Sequence, residues 1–553
     1  MATSNTGQQR EQWSGQWGFA LAAIGSAIGL GNIWRFPGVA YTNGGGAFII
    51  PYLVALLTAG IPILLLDFSL GHRYRGSAPA VFRRLSKPLE ALGWLQVAVS
   101  FVIITYYAVV LAWSARYTLY SLNLAWGSDP LTFFVGDYLQ LADPAISYQV
   151  VPNVFWPLVV VWGAGIVIMV LGVSKGVERA NKVFLPLLVA MFLALVVRAI
   201  TLPGAAEGLN ALFTPDWAAL ADAQVWLAAY SQIFFSLSVG FGIMLTYASY
   251  LKRKTDLTGT GLVTGFANSS FEILAGIGVF ATLGFLAHQQ GVTVSELEGI
   301  TGPILSFVTF PTVISMMPGG PIFGVLFFGS LTLAGFTSLI SLLQVVSAAL
   351  QEKFNLSRNG AALLVGLLAG ALSILLFSTT NGLNALDVVD KFINEIGIVG
   401  SAVLMIVFVG LVLRKLPLLR THLNRVSSVG VGKWWYVVVA ALDPLVLGSI
   451  LVIVVISLVR DGYDSYPADF VLFFGWMMIA AVVLFSVVVS LLPWRTAVDD
   501  FDAERFHERA DDALPDGPTP IRASEVGASF RLPTSATDDT MPNHKTQREG
   551  GDQ

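Results

Sequence analysis

Apolar runs long enough to cross a bilayer recur from one end of this chain to the other, and they constrain its fold more than any other feature. A spanning helix needs about 20 apolar residues. Twelve such runs fall near 17–42, 47–71, 91–122, 153–172, 180–201, 225–250, 261–288, 321–350, 360–378, 386–413, 435–459 and 469–492. They predict an all-α membrane protein with a transmembrane domain over 17–492. Only 12% of the 553 residues are charged and 55% are hydrophobic. Soluble domains carry about 25% charged residues, so a water-soluble enzyme is excluded. A net charge of −4 argues against a nucleic-acid partner. The absence of cysteine rules out a disulfide framework, a thiol nucleophile and thiolate metal sites. None of the five histidines falls in a metal-ligand pattern such as HExxH.

The stretch 302–318 is apolar but short and rich in turn residues (Gly302-Pro303, Pro311, Pro318-Gly319-Gly320-Pro321). It reads as a re-entrant or extracellular hairpin rather than a thirteenth span. Residues 1–16 are polar, which argues against a cleavable signal peptide and predicts a cytoplasmic N-terminal segment. Residues 493–553 turn polar and acidic, as in Asp499-Asp500 and Asp511-Asp512, and read as a disordered cytoplasmic tail.

Basic residues give the orientation. Loops 72–90, 173–182, 251–260, 351–359 and 414–434 carry Lys and Arg, among them Arg73, Arg83, Lys175, Lys252, Lys353 and Arg420. Loops 123–152, 202–224 and 289–320 carry none. With twelve spans, both termini fall on the basic, cytoplasmic side.

Two spans are interrupted by small residues in mid-run. The first holds Gly25-Ser26-Ala27-Ile28-Gly29-Leu30-Gly31-Asn32, and the sixth holds Ser236-Leu237-Ser238-Val239-Gly240-Phe241-Gly242. Glycine weakens a helix by about 1 kcal/mol relative to alanine. Free amides and carbonyls inside a membrane are tolerated only where they face protein or a cavity. The two spans open successive blocks of five, one over about 17–201 and one over about 225–413, followed by two further helices at 435–492. Five is odd, so the second block is inverted relative to the first. Matched broken spans in inverted halves point to a transporter binding site. Close helix packing is the alternative, since Gly25 and Gly29 form a GxxxG pair. Polar residues at bilayer depth add to the first reading: Asn32, Arg35, Asp67, Asn268, Glu272, Thr337, Ser338 and Asp390. A charge there costs roughly 2.5–3.5 kcal/mol on insertion scales, and Glu272 lies deepest in its span.

The segment WGFALAAIGSAIGLGNIWRFPGVAYTNGGGAF, from Trp17, resembles the first-span signature of the neurotransmitter:sodium symporter family, in its prokaryotic, leucine-transporter-like branch. The motifs QIFFSLSVGFG, TYASY, ANSSFE, LAGFTS and VVDKF further along match as well, and the likeness covers about residues 10–490. It implies an inverted five-plus-five repeat, two sodium ions and a central solute. The first ion would be held by Ala27, Asn32, Ser236 and Asn268 with a substrate carboxylate oxygen. The second would be held by Gly25, Ile28, Ala334, Thr337 and Ser338. Sharing that oxygen makes ion and solute binding mutually dependent.

The same resemblance assigns substrate contacts to Ser26, Ala27, Gly29, Gly31, Ile103, Tyr107, Phe235, Ser236, Ser238, Phe241, Leu339 and Leu342. Relatives that carry amines place an aspartate where this chain has Gly29, so a substrate with its own carboxylate is expected. The pocket is apolar and holds no cation for an acidic side chain, which implies a neutral, hydrophobic amino acid. Ser26 and Leu339 stand where leucine-transporting relatives carry asparagine and serine, and Leu339 is expected to narrow the pocket. Glu272 replaces a neutral residue of chloride-dependent members. Its charge would balance the sodium ions and remove any need for chloride. In the empty carrier, burial favours its protonated form and implies proton counter-transport; Tyr52, Gln232 and Ser236 are its expected neighbours. Arg35 and Asp390 would form an outer gate, with Tyr107 and Phe235 as a lid. Arg10 and Glu352 would form an inner gate, supported by Trp13, Ser249 and Tyr250. Asp67 is expected to hold broken backbone.

The resulting expectation is a sodium-coupled symporter in a prokaryotic plasma membrane, importing a neutral amino acid by alternating access, with a homodimer left open. A channel or a sensor of the same fold is the rival reading. A membrane enzyme is disfavoured, since no nucleophile–base or metal constellation appears.

Overall fold

A backbone inside hydrocarbon has to satisfy its polar groups within itself, and the architecture follows from that demand. The computed structural model describes residues 11–300, 302–463 and 466–508. Among these residues every named element is helical, and only two isolated β-bridges occur, Gly45 with Pro215 and Val150 with Thr379. In chain order the principal helices are α1 (Gln16–Ala27), α2 (Leu30–Thr42), α3 (Gly46–Tyr74), α4 (Lys87–Tyr120), α5 (Pro152–Gly172) and α6 (Glu178–Ala199). The second half continues with α7 (Ala223–Ser236), α8 (Ile243–Ala248), α9 (Leu257–Gln290), α10 (Gly320–Phe354), α11 (Arg358–Phe377) and α12 (Gly382–Val412). The chain closes with α13 (Leu416–Val426), α14 (Trp434–Arg460), α15 (Ala468–Leu491) and α16 (Ala503–Glu508).

Nine helices among the described residues are long and apolar enough to cross a membrane, or ten when the bent pair α1–α2 counts as one span. One of the nine is the 48-residue stretch Pro152–Ala199. Straight, it would measure about 72 Å, more than twice the ~30 Å hydrocarbon core. It turns instead at Gly172, whose φ of +85° a side chain would resist, and so supplies two spans, α5 and α6. The pair α7–α8 supplies another, in two short pieces. The twelve spans read from the sequence are consistent with this architecture. The apolar helix Gly302–Met316 is too short to span, as its Pro/Gly pattern implied.

Burial sorts the helices. In the apolar windows of α4 and α9, 78% of residues are buried inside the protein, against 22% and 28% in α14 and α15. The first pair belongs to the core of the bundle and the second to its lipid-facing rim. Helix α3 approaches α8 so closely that a Cβ on Gly71 would lie 2.0 Å from the Leu245 carbonyl oxygen.

The segment after α15 differs from its sequence reading as disordered tail. Residues 493–508 fold back across the end of the bundle that carries the basic loops. Arg495 N–H donates to the Lys353 carbonyl (2.9 Å), and the Thr496 hydroxyl to that of Glu352 (2.7 Å). Arg83 holds Asp499 through two 2.8 Å hydrogen bonds. The acidic residues that suggested a solvated tail are in part partners for the basic loops. The remainder of that expectation, 509–553, lies outside the described residues, as does the N-terminal segment through Arg10.

Candidate functional site

Both small-residue patches are breaks. Helix α1 ends at Ala27 and α2 begins at Leu30, with a 52° bend between α1 and α2. Helix α7 ends at Ser236 and α8 begins at Ile243. Between them Ser238, Gly240 and Gly242 have φ of +54°, +80° and +90°. Two of these three left-handed positions are glycine, which adopts that backbone without steric cost.

Neighbouring spans catch the backbone groups that the second break frees. Gly240 N–H donates to the Asp67 carboxylate (3.0 Å). The Gly240 carbonyl accepts from Gln96 Nε2 (3.0 Å) and the Ser401 hydroxyl (2.7 Å), and the Phe241 carbonyl accepts from the Ser100 hydroxyl (2.9 Å). Each would otherwise be an unsatisfied polar group at membrane depth, costing several kcal/mol. Asp67 thus touches broken backbone, as its sequence reading expected. Gln96, Ser100 and Ser401 were missed; their only trace is a lone polar residue in an apolar run.

At the first break, the Ser26 carbonyl accepts from the hydroxyls of Ser238 and Ser338, both at 3.2 Å. Gly29 N–H donates to Asn32 Oδ1 (2.9 Å), and Leu30 N–H donates to the Tyr107 hydroxyl (3.4 Å). The side chains read as the first ion's ligands meet here. Asn32 Nδ2 donates to Asn268 Oδ1 (2.8 Å), and Asn268 Nδ2 donates to Ser236. Those read as the second ion's ligands also gather at the break. Thr337 donates to the Ala334 carbonyl (2.9 Å), Ser338 lies 3.5 Å from the Ile28 carbonyl, and a Cβ on Gly25 would lie 3.5 Å from Thr337 Cβ. Both groups consist of carbonyl, amide and hydroxyl oxygens, the donor set suited to a hard cation.

A cavity of about 460 Å³ opens beside the breaks. Of the residues read as substrate contacts, Ser26, Ala27, Gly29, Gly31, Ile103, Tyr107, Phe235, Ser236, Ser238, Phe241 and Leu342 line it. Leu339 does not: it is fully buried and turned away. Ser338 and Leu342, four residues apart, share the cavity face of α10, and Leu339 lies about 100° around the helix from Ser338. It therefore cannot narrow the cavity as expected. Gly29 faces the cavity with no room to spare, because a Cβ there would meet the Ser338 and Tyr107 oxygens at 3.1 Å.

Glu272 lies beside the first ligand group. It is fully buried, Tyr52 donates to one oxygen, and Gln232 Nε2 donates to the other (2.8 Å). The site has one open end and one closed end. The cavity reaches past Arg35 and Asp390 to Pro303 and Tyr463. Arg35 and Asp390 face this passage without forming the expected ion pair. The Arg35 guanidinium lies 4.7 Å over the Phe235 ring, and Asp390 accepts from Asn394 (2.7 Å). At the opposite end the buried Trp13 donates from Nε1 to the Tyr247 carbonyl (2.9 Å), and its backbone N–H donates to that of Tyr250 (3.3 Å). Glu352 accepts from both the backbone and the hydroxyl of Ser77, at 2.8 and 2.7 Å. Its expected partner Arg10 is outside the described residues.

Comparison with known proteins agrees with this arrangement. The profile of the "Sodium:neurotransmitter symporter family" matches residues 10–129 and 126–497. An uncharacterized sodium-dependent transporter of Methanocaldococcus jannaschii is 39% identical over 490 residues, covering 87% of this chain and 98% of that protein. The human sodium- and chloride-dependent creatine transporter 1 is 32% identical over 368 residues, 60% of this chain and 58% of its own. A crystal structure of MhsT in complex with L-phenylalanine superposes with a TM-score of 0.68 at 34% identity, covering 80% of this chain and 99% of that one. With its broken helices, oxygen-lined breaks and family profile, the chain belongs to the sodium:neurotransmitter symporter family.

Proposed function

We propose that this chain is a symporter that uses two sodium ions to import a neutral, hydrophobic amino acid by alternating access, without chloride. The observation that carries the reading is the cavity at the α1–α2 break. It offers the backbone of Gly29 and Leu30, whose amides now donate to Asn32 and Tyr107, and the Tyr107 hydroxyl for a carboxylate, and apolar walls at Ile103, Phe235, Phe241 and Leu342 for a side chain. The basic side chains that line the cavity, Arg35 and Lys391, belong to its outer passage with Asp390 and Glu395, and Arg35 stacks on the outer wall at Phe235. The amino acid bound by MhsT is L-phenylalanine, a substrate of this chemistry.

The first ion takes Ala27, Asn32, Ser236, Asn268 and the substrate carboxylate. The second takes Gly25, Ile28, Ala334, Thr337 and Ser338. Coupling arises because the first ion is fully coordinated only when the amino acid is present, and a shared ligand makes the dependence reciprocal. Glu272 supplies the negative charge that balances the loaded site. It returns protonated when the ions have left, since a bare carboxylate at that depth is costly. Arg35 and Asp390 close over the loaded cavity from the outside, and the Trp13–Tyr247–Tyr250 seal then opens with Arg10 and Glu352. Both termini lie on the cytoplasmic side of a prokaryotic plasma membrane, a reading whose orientation the basic loops support.

The test is competition uptake into proteoliposomes under an inward sodium gradient, with and without chloride. Aliphatic and aromatic amino acids should compete and chloride should have no effect. Strong transport of glutamate or a monoamine would overturn the substrate class, and a chloride requirement would overturn the role of Glu272.

A further inference from the structure

Three histidines far apart in sequence converge at the basic end of the bundle, away from the cavity. His72 ends α3, His422 is on α13 and His507 is on α16. All three are buried, and one nitrogen from each ring lies within 4.8 Å of the others. His72 Nδ1 is 2.9 Å from His422 Nε2. One nitrogen of His72 and one of His507 also meet a backbone carbonyl. His72 Nε2 donates to the Lys252 carbonyl (2.9 Å) and His507 Nε2 to the Arg73 carbonyl (3.3 Å). A carbonyl can only accept, so in each neutral ring these bonds fix the proton on Nε2 and leave the lone pair on Nδ1. An imidazole whose far N–H is held by a carbonyl is the arrangement that orients a metal ligand.

We propose that His72, His422 and His507 form a site for a borderline divalent transition-metal ion such as Zn²⁺ or Co²⁺, which staples the C-terminal segment 493–508 across the basic end of the bundle. Three imidazoles and a water are a common open tetrahedral set, with metal–nitrogen bonds near 2.0–2.1 Å. Such bonds place ligand nitrogens roughly 3.3 Å apart, so the His72–His422 pair opens slightly from 2.9 Å and His507 moves in from within 4.8 Å. Imidazole ligands without thiolate or carboxylate favour Zn, Cu, Co or Ni over Ca or Mg. Without metal, His422 Nε2–H donates to His72 Nδ1; on metal binding that proton moves to His422 Nδ1, which frees the Nε2 lone pair.

Arg73, Arg75, Arg253 and Arg425 surround the cluster and oppose a dication. Glu504 offsets Arg73 at 3.6 Å, and Arg253 is turned onto the Phe506 ring at 4.1 Å. The result is a reversible site rather than a permanent structural one. The bland alternative, a packed His–His hydrogen bond, accounts for one contact. It does not account for the third ring, which the chain brings across more than 80 residues to the same point.

The staple has a consequence for transport that rests on the symporter reading. The segment already binds the α3–α4 loop through Arg83 and Arg84, the end of α10 through Glu352 and Lys353, and the α8–α9 loop through Arg253. These elements surround the Trp13 seal and must separate for the inner path to open. A metal that ties His507 to His72 and His422 therefore slows inward release.

Full-length protein in detergent is titrated with Co²⁺ and followed by visible absorption and calorimetry. The expected result is one Co²⁺ per chain with a tetrahedral spectrum. His422→Ala and His507→Ala should each weaken it by at least about 100-fold, the upper end of what losing an outer-sphere partner alone does. Absence of a bound ion, or binding unchanged in both variants, would overturn the site. Because His507 is remote from the cavity, His507→Ala should keep basal uptake. Zn²⁺ inside the vesicles should slow uptake by wild type several-fold and leave His507→Ala unaffected. Equal slowing of both would overturn the staple. A chain that binds Co²⁺ but carries no solute under any gradient would contradict the symporter reading and leave the metal site standing.

Discussion

Replacing Glu272 by glutamine isolates the charge that the sodium sites are proposed to need. The exchange keeps shape, and the surroundings can accept it. The Tyr52 hydroxyl can donate to the new amide oxygen. The new amide N–H can donate to Gln232 Oε1, which has no hydrogen-bond partner among the described residues, once that side chain flips. The fold should therefore survive, and the change should report electrostatics. Glu272 and the proposed ion ligand Asn268 are four residues apart on α9, which places them about 6 Å apart on one face. A unit charge pair at that distance interacts by about 3 kcal/mol at an effective dielectric near 20. Losing it should raise the sodium concentration for half-maximal uptake by about 100-fold. The assay is amino acid uptake into proteoliposomes over a sodium series at constant ionic strength. Glu272→Ser, run alongside, should leave room for an anion and become chloride-responsive. A sodium dependence within about threefold of wild type in Glu272→Gln, or a wild type that already requires chloride, would refute the charge-balance argument.

Other perturbations test the remaining parts. Asn32→Ala and Thr337→Ala each remove one proposed ligand, from different ion sites, and should each raise the sodium requirement about tenfold, or about 1.4 kcal/mol; flux measurements at several sodium concentrations check this. Trp13→Ala removes a buried ring and its hydrogen bond to Tyr247, a loss of about 3–5 kcal/mol from the closed inner path. Because the chain has no cysteine, Ser249→Cys can be introduced as a single reporter, and maleimide should label it faster in the Trp13→Ala background. Gly71→Ala drives a Cβ to 2.0 Å from the Leu245 backbone oxygen, which neither α3 nor α8 can relieve without moving. A lowered melting temperature in detergent is expected, of the size overpacking produces, about 1–3 kcal/mol.

Much of the fold is legible in the sequence because membrane physics leaves local traces. A span needs a long apolar run, and a break needs glycine and small polar residues inside one, so Gly25–Asn32 and Ser236–Gly242 announce themselves. The catchers of freed backbone are not legible, because Gln96, Ser100 and Ser401 come from other helices and are single polar residues in apolar runs. Leu339 was misjudged by one step of helical phase: Ser338 faces the cavity, and its neighbour is rotated into the core. The separation of Arg35 from Asp390 belongs to the conformational state, an equilibrium among packings that residue identity does not encode. The segment 493–508 looks solvated because its acidic residues are short-range polar, while their partners Arg83 and Arg73 are more than 400 positions away. The histidine cluster is hidden for the same reason, since no local spacing links residues 72, 422 and 507.

The central claim is that the paired breaks hold sodium together with an amino acid, and flux across a sealed membrane tests it most directly. Purified wild-type protein in proteoliposomes is given a labelled hydrophobic amino acid, with sodium outside and then with choline in its place. The account predicts accumulation above the external concentration with sodium, and collapse to the level of empty vesicles with choline. Equal uptake in both, or none in either for every neutral amino acid tried, would contradict it.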